Sequence, residues 1–502
     1  MKSYAIAFVS ILVFVLGSCE LNAQTQNSPN IVMFYIDDMG WKDLGCMGSK
    51  FYETPNIDRL ASQGMLFDNA YSCAPNCAPS RACLMTGLYG PRHGIYTVGS
   101  SSRGRSAFRK LIPIQNRTRL ADRFRTIPES FKQKGYVSAH FGKWHLGADP
   151  KSQGFDVNVA GNRSGSPRGG YFSPYRNPQL SDGPKGEYLT DRLTDEAIKF
   201  LESHRQKPFF LYFAHYAVHT PIQSKKELRK KYQQKNPSQG QNNASYAAMI
   251  ESVDQSVGRI LRKLKELKIE QNTVVIFYSD NGGHGPVTSM QPLRGSKGML
   301  YEGGIRVPFF VKWPGKVKAG SRNSTPIIGV DLYPTLMEIA GISTENETLD
   351  GRSIVPLLKG NAEWKERSLY WHFPAYLQAN RGMRALWRTT PAAAIRRGNF
   401  KLLEFFEDGR LELYDLAKDI GERNNLARKL PEKTRELHEQ MISWREKVDA
   451  PVPTKRNPKY DPTAKRKVRK RRKKKRKKST AKYQESLSKI PLHDMFWYNA
   501  MP

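Results

Sequence analysis

Two acidic pairs have the residue types for chemistry. Asp37-Asp38 follows the apolar run Asn30 to Ile36, and Asp280-Asn281 follows a matching run, Thr273 to Ser279. All four residues offer oxygen donors, and no Cys/His cluster of zinc type accompanies them, so the pattern points to a hard cation, calcium or magnesium. Either pair alone reads better as a turn, because Asp-Gly and Asn-Gly clusters are turn formers. Two acidic pairs ending two similar runs shift the balance toward metal. The second constellation is Cys77-Ala78-Pro79-Ser80-Arg81, continued by Met85-Thr86-Gly87. Pro79 and the apolar residues after it predict a helix start, with Cys77 at its N-terminus. There the backbone N–H groups and the helix dipole favour an anion or a thiolate. The local chemistry is then a nucleophile beside an anion site, with Arg81 one helical turn on. A structural cysteine is the ordinary alternative.

The elements that must hold these groups are legible. Residues 30–36 are an unbroken run of β-type side chains, 273–279 repeat the pattern, and 207–214 read as another strand, as expected of strands buried on both faces. Between them, Tyr246 to Lys268 repeats Met249, Ile250, Val253, Val257, Ile260, Leu261 and Leu264 along one helix face. Strands alternating with helices predict an α/β domain with a mainly parallel sheet. Both acidic pairs then lie just past strand carboxyl ends, where open α/β sheets bind ligands. After about Pro356 the texture changes. Residues 396–406 and 410–415, joined at Glu407-Asp408-Gly409, predict a β-hairpin, and a last helix is expected from Pro431 to Val448. A smaller α+β subdomain over 357–450 thus follows a catalytic α/β domain over 28–356. The Pro- and Lys-rich stretch 451–502 is expected to be a disordered basic tail.

With 502 residues, 39% hydrophobic and 11% aromatic, the chain can fill a large core, which excludes collagen-like, coiled-coil and wholly disordered classes. Its 81 Lys and Arg against 46 Asp and Glu give a net charge of +35. Residues 465–478 hold 13 basic side chains in 14 positions; the rest, 68 basic against 46 acidic, still carries +22. Such a body attracts anions. Residues 1–23 read as an export signal: Lys2, then an apolar stretch from Ala5 to Gly17 that is too short to span a bilayer comfortably. Cleavage after Ala23 gives a periplasmic or extracellular protein; Leu16-Gly17-Ser18-Cys19 is the lipobox-like alternative, a surface lipoprotein through Cys19. No other segment is apolar enough for a transmembrane span. The remaining cysteines are too few for a disulfide scaffold in a chain of this size.

Five motifs in order resemble the type I sulfatases: Cys77 to Gly87, Gly142-Lys143-Trp144-His145-Leu146-Gly147, Ala214 to Pro221 with His219-Thr-Pro, Ser279 to His284, and Lys297 to Pro308. The likeness spans about 28–430. It implies an alkaline-phosphatase-like fold, and conversion of Cys77 by a maturation enzyme to 3-oxoalanine (formylglycine), whose hydrate is the nucleophile. It implies one calcium ion held by Asp37, Asp38, Asp280 and Asn281 with an oxygen of residue 77. Lys143 and Lys297 would neutralise sulfate oxygens, and Arg81 would hold the hydrated aldehyde. His219 would protonate the departing alcohol, while His145 would take a proton from the second hydroxyl of the hydrate. His215 reads equally as a core histidine, and His284, Arg92 and His93 as pocket-lining or structural residues.

The substrate expected on this resemblance is a sulfated polysaccharide or oligosaccharide, because a body of +22 suits several sulfates. The stretch from Gly154-Phe-Asp-Val-Asn to Gly170-Tyr-Phe-Ser-Pro also resembles bacterial members assigned to carbohydrate sulfates. Formylglycine-dependent phosphonate or phosphate diester hydrolysis is the nearest rival; an inactive polyanion-binding protein is a more distant one. Residues 465–478 invite non-specific contact with polyanions. They lack the interleaved aromatics and folded elements of sequence-specific nucleic-acid recognition.

Overall fold

A computed structural model describes residues 28–360, 364–380, 383 and 385–465. The export signal, Cys19 and the basic run from 466 onward lie outside the described residues.

Eight strands form the main sheet: β1 (Asn30–Ile36), β2 (Met65–Phe67), β3 (Val137–Gly142), β4 (Val157–Val159), β5 (Phe209–Ala214), β6 (Thr273–Ser279), β7 (Phe309–Lys312) and β8 (Ser321–Asn323). Their order is β4-β3-β5-β1-β6-β7-β2-β8. The strands from β4 to β6 are parallel, and β7 reverses against β6. The expected mainly parallel α/β sheet is therefore present. Its central strands are covered on both faces, which explains their unbroken apolar runs. Successive β1 side chains alternate between two cores. Val32, Phe34 and Ile36 meet Leu193 and Val253, on helices α2 (Leu189–His204) and α3 (Ala244–Glu266). Ile31, Met33 and Tyr35 face a second core containing Ala82 and Met85 of α1 (Cys77–Thr86) and Leu336 of α4 (Leu332–Ile339). Each such fully buried side chain contributes about 1.5–3 kcal/mol over its exposed state.

The C-terminal unit is a four-stranded antiparallel sheet, β9 (Ser368–Phe373), β10 (Ala392–Arg397), β11 (Phe400–Phe405) and β12 (Arg410–Asp415), backed by helix α5 (Pro431–Lys447). One correction concerns 396–406, expected as a single strand. The chain turns at Gly398, whose φ of +54° suits glycine, and so makes two hairpins rather than one. A second concerns the tail. Residues 451–465 are ordered, because their backbone is paired: Ile112 N–H donates to Lys455 O at 2.8 Å, and Asn457 N–H donates to Lys110 O at 2.9 Å. Among the described residues no helix is long and apolar enough to cross a membrane.

The inner face of this sheet, with Trp371, Phe373, Leu403 and Tyr414, packs on Tyr71, Leu300 and Ile305 of the catalytic body. Within that seam Lys401 is fully buried, 2.9 Å from both Glu302 Oε1 and Glu422 Oε1. Glu302 also accepts from Tyr71 Oη at 2.6 Å. Burial opposes the charge on Glu302, but Lys401, Arg306 and Arg396 hold its carboxyl down at about 2. Burial dominates at Glu422, pushed up to about 7 despite Lys401. One ammonium thus fastens a carboxylate of the body to the C-terminal unit. Lys401→Met should lower stability by about 3–5 kcal/mol, because it strands buried carboxyl groups without their cation. Urea denaturation measures this, and a loss below about 1 kcal/mol would show that the seam does not depend on the ion pair.

Candidate active site

Strands β1 and β6 pair in register from Asn30↔Thr273 to Ile36↔Ser279. Equal strand lengths in equal register bring the residues that follow side by side. Asp280 N–H donates to Ile36 O at 3.1 Å, and the amide of Asp38 donates to Asp280 Oδ1, also at 3.1 Å. Asn281 Nδ2 donates to Asp38 Oδ1 at 2.9 Å. All four residues are buried. Asp38 turns away from the strand with φ +62°, a left-handed conformation that Asp tolerates but that costs about 1 kcal/mol or more.

Cys77 is the first residue of α1, preceded by Asn76 as N-cap in extended backbone. Its Sγ lies 3.3 Å from Lys297 Nζ. Lys297 reaches this position because its loop closes on the Gly282-Gly283 turn. Gly282 N–H donates to Gly304 O at 2.9 Å and Lys297 N–H donates to Gly283 O at 3.0 Å. A Cβ on Gly282 would sit 2.0 Å from Gly303 O, so only glycine permits the approach. Lys143 leaves the end of β3 and places Nζ 2.6 Å from Asp37 Oδ2. Lys297 Nζ lies 2.6 Å from Asp38 Oδ1. Arg81 turns its guanidinium onto Asp280 Oδ2 (3.0 Å from Nε, 2.8 Å from Nη2) and donates Nη1 to Lys143 O at 2.8 Å. The guanidinium expected at the aldehyde thus braces Asp280.

Three buried carboxylates therefore meet three cations: Lys143 and Arg81 are buried and Lys297 is nearly so. Burial would raise Asp38 and Asp280, but Lys297 at the first and Arg81 at the second hold both below the usual carboxylate range. Asp37 is raised well above it, because burial exceeds the pull of Lys143. Burial likewise opposes ionisation of the Cys77 thiol, yet Lys143 and Lys297 overcome it and bring the pKa down to about 6. Two oxygens, Asp37 Oδ1 and Asn281 Oδ1, are buried without a hydrogen-bond partner. Such orphans cost about 1–3 kcal/mol each, which a cation would relieve. Ligand atoms of Asp37, Asp38, Cys77 and His219 lie within 4.8 Å of one another. Cys77 and His219 bring sulfur and nitrogen to that group, but the Asp37 and Asp38 carboxylates and the unpartnered Asn281 Oδ1 are oxygen donors, which fit a hard divalent cation.

Two histidines flank the cluster. His219 Nδ1 lies 2.7 Å from Thr220 O, and a carbonyl only accepts, so Nδ1 carries hydrogen and Nε2 faces Asp38 Oδ2 at 3.7 Å. Burial and Lys297 oppose its protonation, but Asp37 and Asp38 prevail and its pKa is raised. His145, at φ +67°, is the reverse case: burial, Lys143 and Arg81 hold it well below the usual range, hence neutral. His215 stacks on Phe213 with 4.0 Å between ring centroids, is fully buried, and belongs to the core. Arg92 pairs with Asp350 at 2.9 Å and His93 lies 3.4 Å from Cys83 Sγ, so both fasten the scaffold. His284 is half-buried beside the site; burial takes it down to about 4. Sequence reasoning missed Arg103 and Arg388. Both sit within electrostatic reach of the cluster, but neither belongs to a local motif, and their positions depend on distant loops. The four described cysteines are all free thiols.

The family description "Sulfatase" matches residues 29–342, and "N-sulphoglucosamine sulphohydrolase, C-terminal" matches 296–447. A sulfatase of Formosa agariphila is 34% identical, with 87% of this chain and 92% of that protein covered. The dog N-acetylgalactosamine-6-sulfatase is 33% identical over 72% of each. Among solved structures, Ps i-CgsB superposes with a TM-score of 0.69 at 30% identity, covering 83% of this chain and 92% of that one; it has also been solved in complex with k-i-k-neocarrahexaose. The matched segments contain the whole cluster, from Asp37 and Asp38 through Cys77 and His219 to Lys297. The chain belongs to the sulfatase family.

Proposed function

We propose that this sulfatase removes sulfate from sulfated carbohydrates, with residue 77 matured to formylglycine and one calcium ion bound by Asp37, Asp38, Asp280, Asn281 and residue 77. The observation that carries the reading is the seat of Cys77: the first turn of a buried helix, 3.3 Å from Lys297 Nζ and 4.0 Å from Asp38 Oδ1, with Lys143 and His219 around the same space. The glycan is supported by the relatives, whose names include an N-acetylgalactosamine-6-sulfatase and whose structures include a complex with k-i-k-neocarrahexaose. Export, read from residues 1–23, belongs to the same proposal.

When present, the hydrated formylglycine supplies a nucleophilic oxygen and calcium supplies a Lewis acid. The chain's own residues do the rest. Lys143 and Lys297 stand ready to exchange their aspartates for sulfate oxygens and to neutralise the charge that spreads over them. Arg81 keeps Asp280 aligned, and Asn281 does the same for Asp38. His219 Nδ1–H is committed to Thr220 O, so Nε2 is the atom that hands a proton to the departing sugar oxygen. His145, held neutral, accepts a proton from residue 77.

Peptide mass spectrometry across residue 77 should find formylglycine in protein from its native host, and Cys77→Ala should fold but not turn over; an unmodified cysteine in an active preparation would sink the mechanism. His219→Asn should slow an alkyl or sugar sulfate by about 10²–10⁴-fold, with a much smaller effect on 4-nitrophenyl sulfate, whose leaving group needs little protonation. Equal losses on both substrates would remove His219 as the acid. Elemental analysis should give about one calcium per parent chain and a clear deficit in Asn281→Ala, a variant that breaks no ion pair. Undiminished calcium would refute the ligand assignment.

A further inference from the structure

Two arginines approach the mouth of the cluster from different parts of the chain. Arg103 lies on the loop after Gly99, and Arg388 on the short strand Trp387–Thr389 of the C-terminal unit. Their loops meet: Gly104 packs on Trp387 so closely that a Cβ there would lie 2.7 Å from the indole. Arg388 Nη1 donates to Lys297 O at 3.3 Å, and a Cβ on Gly298 would lie 2.6 Å from Arg388 Cδ. Lys297 in turn holds Nζ 3.3 Å from Cys77 Sγ. Arg388 is thus one residue removed from the reacting position.

Neither guanidinium meets a carboxylate among the described residues. Arg103 donates to Val98 O; Arg388 donates to Lys297 O and Asn380 Oδ1, and its Nε is buried without a partner. Both side chains are half-buried. Comparable arginines in this protein are paired: Arg92 with Asp350, Arg192 with Glu196, and Arg367 with Asp331. Burial opposes the charge on both arginines and outweighs the attraction of Cys77 at Arg103 and of Asp38 at Arg388, where Arg103 adds repulsion. Like charges gathered in a half-dry place with no carboxylate in contact are better satisfied when an anion arrives.

We propose that Arg103 and Arg388 form a second oxyanion seat beside the sulfate pocket, which takes a neighbouring sulfate or carboxylate group of the same glycan. The inference rests on the sulfatase reading and adds to it a preference for polyanionic saccharides over isolated sulfate esters. A planar guanidinium grips either oxyanion by paired hydrogen bonds. Calorimetric titration of the intact protein tests this without turnover, with propane-1,3-disulfonate and butane-1,4-disulfonate compared with propane-1-sulfonate. The better disulfonate should bind about tenfold or more tightly than the monosulfonate, a gain typical of one charge-assisted contact. Arg103→Gln and Arg388→Gln should each erase most of that ratio. Arg103 sits on a surface loop, so its variant decides the matter if the other does not fold. A wild-type ratio near one, or a ratio that survives in the Arg103 variant, overturns the seat. Inorganic sulfate, titrated first, separates the two ideas: failure to bind overturns the sulfate pocket and the seat with it, whereas sulfate binding without a disulfonate preference overturns the seat alone. 4-Sulfobutanoate binding as tightly as the disulfonates would identify a seat open to carboxylates; weaker binding would identify one selective for sulfate.

Discussion

Three ion pairs buried at the carboxyl edge of the sheet constrain everything around them: Asp37 with Lys143, Asp38 with Lys297 and Asp280 with Arg81. An unpaired charge at that depth would cost several kcal/mol, so each partner has to arrive. The equal register of β1 and β6 aligns the acids. Helix α1 carries Arg81 beneath them, the end of β3 delivers Lys143, and a glycine-lined contact lets the Lys297 loop close. A one-residue slip of either strand would send its whole apolar set to the wrong core and break the pairs together.

The same pairing suits the proposed chemistry. The three cations offset the charge of the acids and of residue 77, so a divalent cation and an anionic ester can enter together by exchange of partners. The lysines that hold Asp37 and Asp38 also bring the Cys77 thiol down to about 6. Oppositely perturbed histidines complete the set: carboxylates facing His219 raise its pKa against burial, and burial with the nearby cations holds His145 well below the usual range. Environment thus perturbs one residue type in two directions, as the proposed acid and base would need.

The C-terminal unit belongs to this site. Lys401 ties it to Glu302 in the loop that runs on from Lys297, and Arg388 rests on the Lys297 carbonyl. In the proposed reading, substrate meets a rim built from both units, while the reacting groups come from the larger one.

Most of the architecture was legible along the chain. Runs of β-type residues marked β1, β5 and β6 because strands covered on both faces leave no polar interruption, and the repeat at three and four marked α3. The acidic pairs, Cys77 and Arg81 stood out because their types and spacing are local. Lys143, Lys297, His145 and His219 came through motif resemblance alone, since nothing in a single lysine or histidine announces its partner. The hairpin at Gly398 and the ordered stretch after Pro451 were misread, since a strand and a turn differ there by one backbone angle, and an extended segment becomes ordered only when something pairs with its backbone. Local order thus follows from neighbours in sequence. The ion partners, the division of the histidines and the convergence of Arg103 and Arg388 follow from packing, because charge and desolvation act across space between residues that the chain keeps hundreds of positions apart.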